Sequence, residues 1–251
     1  RERAHVEPMH VVSAFRFIRQ SLFFGRVLNA LLNEPLGFRM QHQRHIQRSP
    51  RTLTCVIVGR GPIGKTRNLL ISPINMRNSI IQLIENEIKH AKQGKGAKII
   101  IKSNSISDHT LIDHLYKATK AGVEVHLIIR GILTLKKGSE KLKNKLNAIS
   151  IVDQYLEHAR VMIFHNKGNE KVYISSADWM VRNLDHRIEV AAPILDIKLK
   201  KELVEMINIQ LKDNQKARIL DENLGNNYVS SVGKKHCKSQ VATYNYLIGK
   251  K

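Results

Sequence analysis

Cysteine and long apolar runs are scarce in this sequence. Its 251 residues contain two cysteines, Cys55 and Cys237, too few for a disulfide framework or a four-ligand zinc site, which indicates a reducing compartment. We expect both thiols to be inert. A membrane-spanning helix needs roughly 18 apolar residues in a row, and Arg16, Arg19 and Arg26 interrupt the best candidate. These shortages exclude a disulfide-stapled protein and favour a soluble or peripheral one.

Acidic and aromatic residues are also few. Lys and Arg total 42 against 21 Asp and Glu, which leaves a formal charge of +21, and aromatic residues make up 5% of the chain. Such a charge attracts nucleic acid, anionic lipid and polyphosphate alike. The shortage of aromatic rings disfavours a single-strand nucleic-acid platform of stacked bases. The 42% hydrophobic content provides enough apolar material for one sizeable domain or slightly more.

Lysine is almost missing from the first quarter of the chain. Residues 1–66 hold ten Arg and one Lys, whereas residues 67–251 hold seven Arg and 24 Lys, and the first residue is Arg1 rather than Met. We interpret the chain as a fragment with a basic segment of doubtful authenticity, poorly ordered, over residues 1–66. The alternative is a genuine Arg-rich leader like an organellar targeting segment. A folded domain is predicted over 67–229 and a basic tail over 230–251.

A phosphate-loop pattern lies inside the basic segment. Residues 59–66 read GRGPIGKT and fit G-x-x-x-x-G-K-[ST]. Such a loop must open a long helix, but Ser72-Pro73, a new helix start, follows Thr66 after five residues. We interpret the pattern as a chance match and expect Lys65→Ala to leave nucleotide affinity unchanged.

Residues 67–251 alternate between helical and strand patterns, which predicts an α/β fold. Strand 97–102, helix 107–121 and strand 123–129 form a β-α-β unit with parallel strands and a right-handed crossover. The other predicted helices are 72–94, 196–211 and 240–248, and the other predicted strands are 149–152, 160–164, 171–175 and 187–193.

Arg130 is a candidate phosphate-binding residue. Open α/β sheets bind ligands beyond the carboxyl ends of their strands, and Arg130 directly follows the predicted strand 123–129. A guanidinium there, beside Gly131, is suited to bidentate phosphate recognition. The alternative is a solvated surface arginine.

His158 is a candidate catalytic residue at the entry to the predicted strand 160–164. Its imidazole can transfer a proton or take up a phosphoryl group, with Glu157 or Arg160 setting its charge state. The alternative is a structural histidine. The nearby run 175–189 (SSADWMVRNLDHRIE) is dense in polar groups, and we expect most of them to support the turn rather than react.

Four stretches together resemble the C-terminal part of bacterial polyphosphate kinase, the phosphohistidine enzyme that builds polyphosphate from ATP. They are 70–77 (LISPINMR), 122–131 (GVEVHLIIRG), 149–158 (ISIVDQYLEH) and the run 175–189. They occur in the family's order and with family-like spacing. The resemblance covers about residues 69–229.

The resemblance implies a phospholipase-D-like mixed sheet flanked by helices, preceded here by a non-family N-terminal segment. His158 matches the second of two essential family histidines, and Arg130 matches an arginine that contacts the nucleotide phosphates. The implied substrates are ATP, ADP and inorganic polyphosphate, with Mg as cofactor. The resemblance further implies a homo-oligomer, a cytoplasmic location with association at the inner-membrane surface, and no specific nucleic acid.

Several family features are missing from this sequence. The histidine that the family phosphorylates, its magnesium ligands and a nucleotide-binding tyrosine belong upstream of residue 67, and their motifs do not occur in residues 1–66. Gln154 also replaces a usual arginine. We therefore expect an ATP:polyphosphate phosphotransferase fragment that carries half of the active site and is inactive alone.

Two other functions remain open from the residues. A noncatalytic polyanion- or nucleic-acid-binding protein would need only the +21 charge. A phospholipase-D-type phosphodiesterase is less favoured, because its chemistry uses H-x-K, generally twice, whereas His158-Ala159-Arg160 occurs once and has Arg in place of Lys.

Overall fold

A computed structural model describes residues 69–135, 145–221, 223 and 225–249. The basic segment, the phosphate-loop match and residues 136–144 lie outside these residues, as does Cys55. The predictions made for those parts stay predictions.

The described residues contain eight strands and four α-helices. The strands are β1 Leu70–Ser72, β2 Lys98–Ser103, β3 Glu124–Ile129, β4 Leu146–Ile151, β5 Arg160–Phe164, β6 Lys171–Ser175, β7 Glu189–Pro193 and β8 Ala217–Ile219. The helices are α1 Met76–Lys92, α2 His109–Lys120, α3 Ile197–Leu211 and α4 Ser239–Ile248. A 3-10 turn spans Asn166–Gly168, and a π-helical turn spans Arg182–His186.

All eight strands form one mixed sheet in the order β1-β7-β6-β5-β2-β3-β4-β8. β2, β3 and β4 are parallel neighbours, and the remaining pairs are antiparallel. The predicted α/β fold class and the parallel β2-α2-β3 unit are therefore confirmed. The central strands are short apolar runs whose side chains are buried on both faces of the sheet, as covered parallel strands require.

The main hydrophobic core lies where α1 and α2 pack on one face of the sheet. Its members come from both helices and from the central strands, and include Ile80, Ile84, Ile99, Ile101, Leu111, Leu115, Val125 and Leu127. Burying an aliphatic side chain of this size contributes about 1.5–3 kcal/mol each. This core fixes the strand ends that form the candidate site.

α1 begins later than predicted. The pattern made Ser72 the N-cap, but Ser72 is the last residue of β1 and pairs with Glu189 of β7. Asn75 is the N-cap instead, and its side chain accepts a hydrogen bond from the Ile71 N–H at 2.6 Å. The helix ends as predicted near Gly94, whose φ of 69° favours glycine.

The C-terminal residues assigned to a basic tail include packed structure. α4 packs on α3, and Ser239 and Gln240 in its first turn are buried. The helix itself was predicted at nearly the same bounds, but its packing was not.

Candidate functional site

The ends of β2 and β3 lie side by side because the two strands are parallel. The backbone after β3 meets the backbone after β2 through the Gly131 N–H, which donates to the Asn104 carbonyl at 2.7 Å. A Cβ on Gly131 would lie 3.0 Å from that carbonyl oxygen, so the close approach favours glycine. Arg130 is held at this contact, at the strand end where the sequence predicted it.

Two further elements reach the same edge of the sheet. β5 is antiparallel to β2, with Lys102 opposite Val161, so the N-terminal end of β5 lies beside the C-terminal end of β2. β6 is antiparallel to β5, with Arg160 opposite Ser175, so the chain leaving β6 arrives there too. Residues distant in sequence therefore meet at one edge.

Asp178 connects these strand ends. Its Oδ1 accepts hydrogen bonds from the Ser103 hydroxyl and the Asn104 N–H, both at 2.9 Å. Arg160 donates to the same carboxylate from Nε and Nη2, each at 3.1 Å. Burial on its own raises the pKa of Asp178, but the hydrogen bonds from Arg160 and Ser103 outweigh it, so the pKa lies below its usual range.

Arg160 in turn contacts His158. Its Nη1 lies 2.9 Å from the imidazole Nδ1 and 3.1 Å from the His158 carbonyl oxygen, and its Nη2 lies 3.3 Å from Nε2. A guanidinium only donates hydrogen bonds, so a doubly protonated imidazolium would present donors to donors. Desolvation and the charges of Arg160 and Arg130 lower the pKa of His158. The uncharged form of this exposed ring is therefore favoured more than in a free histidine.

Arg130 lies close enough to His158 for its charge to lower the histidine pKa. Its Nη1 is buried and has no hydrogen-bond partner among the described residues. A buried guanidinium nitrogen without a partner is costly, and an anionic ligand would satisfy it. In the described part of the chain, the edge thus combines an unsatisfied cationic donor with an imidazole whose uncharged form is favoured.

Glu157, one of two residues that the sequence offered for setting the charge state of His158, bonds a lysine of β2. Its Oε2 accepts from the Lys102 Nζ at 2.6 Å, and Lys102 also donates to Gln210 Oε1 at 2.7 Å. Lys102 was missed as a site residue. The one signal for it was a lysine within the otherwise apolar run of β2.

The turn after β6 has its own support, also missed from the sequence. The Trp179 carbonyl accepts from the Ser107 and Asp108 N–H groups at 2.8 and 2.9 Å. Arg77 of α1 bonds both Asp108, at 2.6 Å, and Asp185 in the π-helical turn. These contacts fix the turn that carries Asp178.

The run 175–189 is a polar network, as expected. Asn183 Nδ2 donates to Glu189 Oε1 at 2.8 Å, and the Ser176 hydroxyl bonds the other Glu189 oxygen. Arg187, in the same run, is exposed.

The described residues offer neither a metal centre nor a membrane-spanning helix. Within the described residues, no three His, Cys, Asp or Glu side chains come together as metal ligands, so no residue set there fits the Mg that the resemblance implies. The helices of the described part include none with the length and apolar content needed to cross a bilayer. Cys237 is partly buried. Burial, and to a smaller extent the charge of Asp213, raises the pKa of its thiol, which is typical of an unreactive cysteine.

Comparison with known proteins identifies a family for this chain. The family "Polyphosphate kinase C-terminal domain 2" matches residues 69–240. The polyphosphate kinase of Vibrio parahaemolyticus is 49% identical over 183 residues, which cover 73% of this chain and 26% of that protein. The Escherichia coli enzyme is 45% identical over 179 residues, covering 71% of this chain and 26% of that protein.

A solved structure extends the comparison to the fold. The crystal structure of polyphosphate kinase from Porphyromonas gingivalis has a TM-score of 0.75 at 42% identity, and covers 79% of this chain and 30% of that one. The chain thus spans about a quarter of the length of the curated relatives it matches. By the family match and these identities, the chain belongs to the polyphosphate kinase family.

Proposed function

We propose that this chain supplies half of the active site of an ATP:polyphosphate phosphotransferase. The observation that carries the proposal is Arg130, whose buried Nη1 has no hydrogen-bond partner among the described residues, at the same sheet edge as His158, whose pKa the charge of Arg130 lowers. ATP, ADP and inorganic polyphosphate are the proposed substrates, with Mg bound by residues upstream in the whole protein. A homo-oligomer in the cytoplasm, associated with the inner-membrane surface, is proposed for that whole protein.

Arg130 neutralises phosphate charge in this mechanism. Its fork donates to two oxygens of one phosphate group, which positions the group as well as stabilising its charge. Because phosphoryl transfer depends mainly on positioning and electrostatic stabilisation, a fixed guanidinium provides a large part of the rate acceleration.

His158 acts beside it through its ring proton. The neutral imidazole donates one hydrogen bond, and an arriving phosphate anion raises the pKa of His158 so that the ring takes up a proton. It then stabilises the phosphoryl group electrostatically or donates the proton to the departing phosphate oxygen. In the whole protein the γ-phosphoryl passes from ATP to the upstream histidine, releasing ADP, and then to the end of the polyphosphate chain.

The kinetic test uses the chain joined to its family's upstream region. Arg130→Lys keeps the charge but loses the bidentate fork, so we expect a higher KM for ATP and a lower kcat. His158→Ala removes a group that acts during transfer, so kcat should fall by roughly 10²-fold or more.

The matched controls are Arg218→Lys on the edge strand β8 and His165→Ala, just beyond the opposite end of β5. Both should leave kcat and KM near wild type. If His158→Ala shows normal turnover per folded molecule at a lowered Tm, His158 is structural. If ATP transfer is absent but polyanions still bind with a steep salt dependence, the noncatalytic alternative is correct.

A further inference from the structure

Gln240, in the first turn of α4, contacts the loop that precedes His158. It is 6% exposed, and its amide binds both backbone polar groups of Tyr155. Oε1 accepts from the Tyr155 N–H at 3.1 Å, and Nε2 donates to the Tyr155 carbonyl at 2.7 Å. A side-chain amide that pairs with both the N–H and the C=O of one residue fixes the backbone at that residue.

The same amide also contacts the residue next to His158. Nε2 lies 3.0 Å from Glu157 Oε1, while the other Glu157 oxygen bonds Lys102 of β2 at 2.6 Å. Lys102 is only 5% exposed. A buried ion pair of this kind adds little net stability, but its geometry is specific. Glu157 is therefore held from two sides, by the sheet and by α4.

The start of α4 is itself fixed to the end of α3. Asp213 Oδ2 accepts from the Ser239 N–H at 2.7 Å, and its Oδ1 accepts from the N–H groups of residues 215–217 at 2.7–3.0 Å. Asn214 adds a bond from the Cys237 N–H to its Oδ1 at 2.8 Å. Gln240 therefore projects from a well-supported helix end.

We propose that Gln240 is a positioning residue for His158, acting through Tyr155 and Glu157 to hold the imidazole against Arg160. The proposal rests on the proposed function only in that His158 works on a phosphoryl group. A displacement of about 1 Å at a reacting group can cost 10²-fold in rate. A helix outside the catalytic edge would then control the geometry of the site.

The test measures the environment of His158 directly in the full 251-residue chain. Histidine-labelled protein is titrated by NMR, with the His158 signal assigned by its loss in His158→Gln. Gln240→Met keeps the side-chain length and removes the amide. Because the loosened loop moves the ring away from desolvating and cationic groups, the His158 pKa should rise toward the ordinary histidine value.

Two matched variants make the result specific. Asn245→Ala removes an exposed amide from the same helix and should leave the His158 titration unchanged. Gln240→Glu keeps an acceptor oxygen but places a second carboxylate beside Glu157. It should therefore raise the His158 pKa as Gln240→Met does. If Gln240→Met does not fold, Gln240→Asn, which shortens the amide by one methylene, takes its place.

An unchanged His158 pKa in a folded Gln240 variant would overturn the proposal. So would equal pKa shifts at His90 on α1 and His126 on β3.

Tripolyphosphate binding, measured calorimetrically on the same proteins, separates the positioning role of Gln240 from the proposed function. If the wild-type chain binds no tripolyphosphate while the Gln240 variants still change the His158 pKa, the positioning role stands and the proposed function fails.

Discussion

At the scale of single residues, the lowered pKa of His158 predicts a pH-dependent affinity for phosphate anions. Desolvation, Arg160 and Arg130 lower the His158 pKa in the free protein, and a bound phosphate anion raises it. Binding therefore takes up a proton, and affinity increases as the pH falls from the bound toward the free pKa, by at most about tenfold per pH unit.

Calorimetry with tripolyphosphate from about pH 8 down to about pH 5 checks this dependence, because the pKa of free His158 lies below the ordinary histidine value of about 6.5. The matched control is His158→Gln, in which only the ligand's own titration remains. Identical pH profiles for the two proteins would contradict the linkage.

Asp178 provides a second prediction at this scale. Its side chain is 10% exposed and that of Arg160 is 14% exposed, so Asp178→Asn leaves a guanidinium with little solvent to replace its partner. We expect a loss of about 3 kcal/mol in the free energy of unfolding. Asp113→Asn, on the exposed face of α2, is the control and should cost less than about 0.5 kcal/mol.

The pH dependence of stability gives the sign of the Asp178 effect. Its folded pKa lies below the ordinary value, so its contribution is present above the unfolded pKa of about 3.9 and is lost as the pH falls through the folded pKa. Urea unfolding at neutral and acidic pH measures the free energy of unfolding and its dependence on pH. An Asp178→Asn protein as stable as wild type at neutral pH would remove Asp178 from this role.

At the scale of elements, two helix caps of the same chemistry have different surroundings. Asp108 caps α2 by accepting from the Leu111 N–H at 3.0 Å and also pairs with Arg77. Asp196 caps α3 by accepting from the Leu199 N–H at 2.8 Å and is exposed. Loss of a cap alone costs about 1 kcal/mol.

Asp108→Ala should therefore destabilise the fold more than Asp196→Ala, because it also leaves Arg77 with one carboxylate fewer. We expect about 1 kcal/mol for Asp196→Ala and about 2–3 kcal/mol for Asp108→Ala. Denaturant midpoints of the two variants measure the difference. Equal losses would mean that the Arg77 contact adds nothing to the cap.

At the scale of the whole molecule, the chain carries a large positive charge and half of the proposed site. We expect no synthesis of labelled polyphosphate from ATP by the purified 251-residue chain, because the proposed mechanism passes the phosphoryl group through a histidine upstream of it. Polyphosphate should still bind, and the affinity should fall as salt is raised. Labelled polymer formed by this chain alone would contradict the division of the site.

Much of the fold follows from local patterns in the sequence. The bounds of β5 and β6 match their predicted ranges, and α4 matches within one residue, because apolar alternation and helical spacing are local properties. The edge strands β1 and β8 were missed, since each has three residues and depends on pairing with a distant strand. Ser72 likewise carried a helix-start signal that strand pairing overrode.

The residues of the candidate site also divide into those that the sequence identifies and those that it does not. Arg130 and His158 were identifiable because each stands beside a strand end and matches a family motif. Lys102, Gln210 and Gln240 were not, because their contacts join residues 55 to 108 positions apart. The sequence by itself determined the family, the order of the helices and of the six longer strands, and the basic charge. Only the tertiary structure decided that Arg160 rather than Glu157 contacts His158, because that choice depends on which strand ends meet at one edge of the sheet.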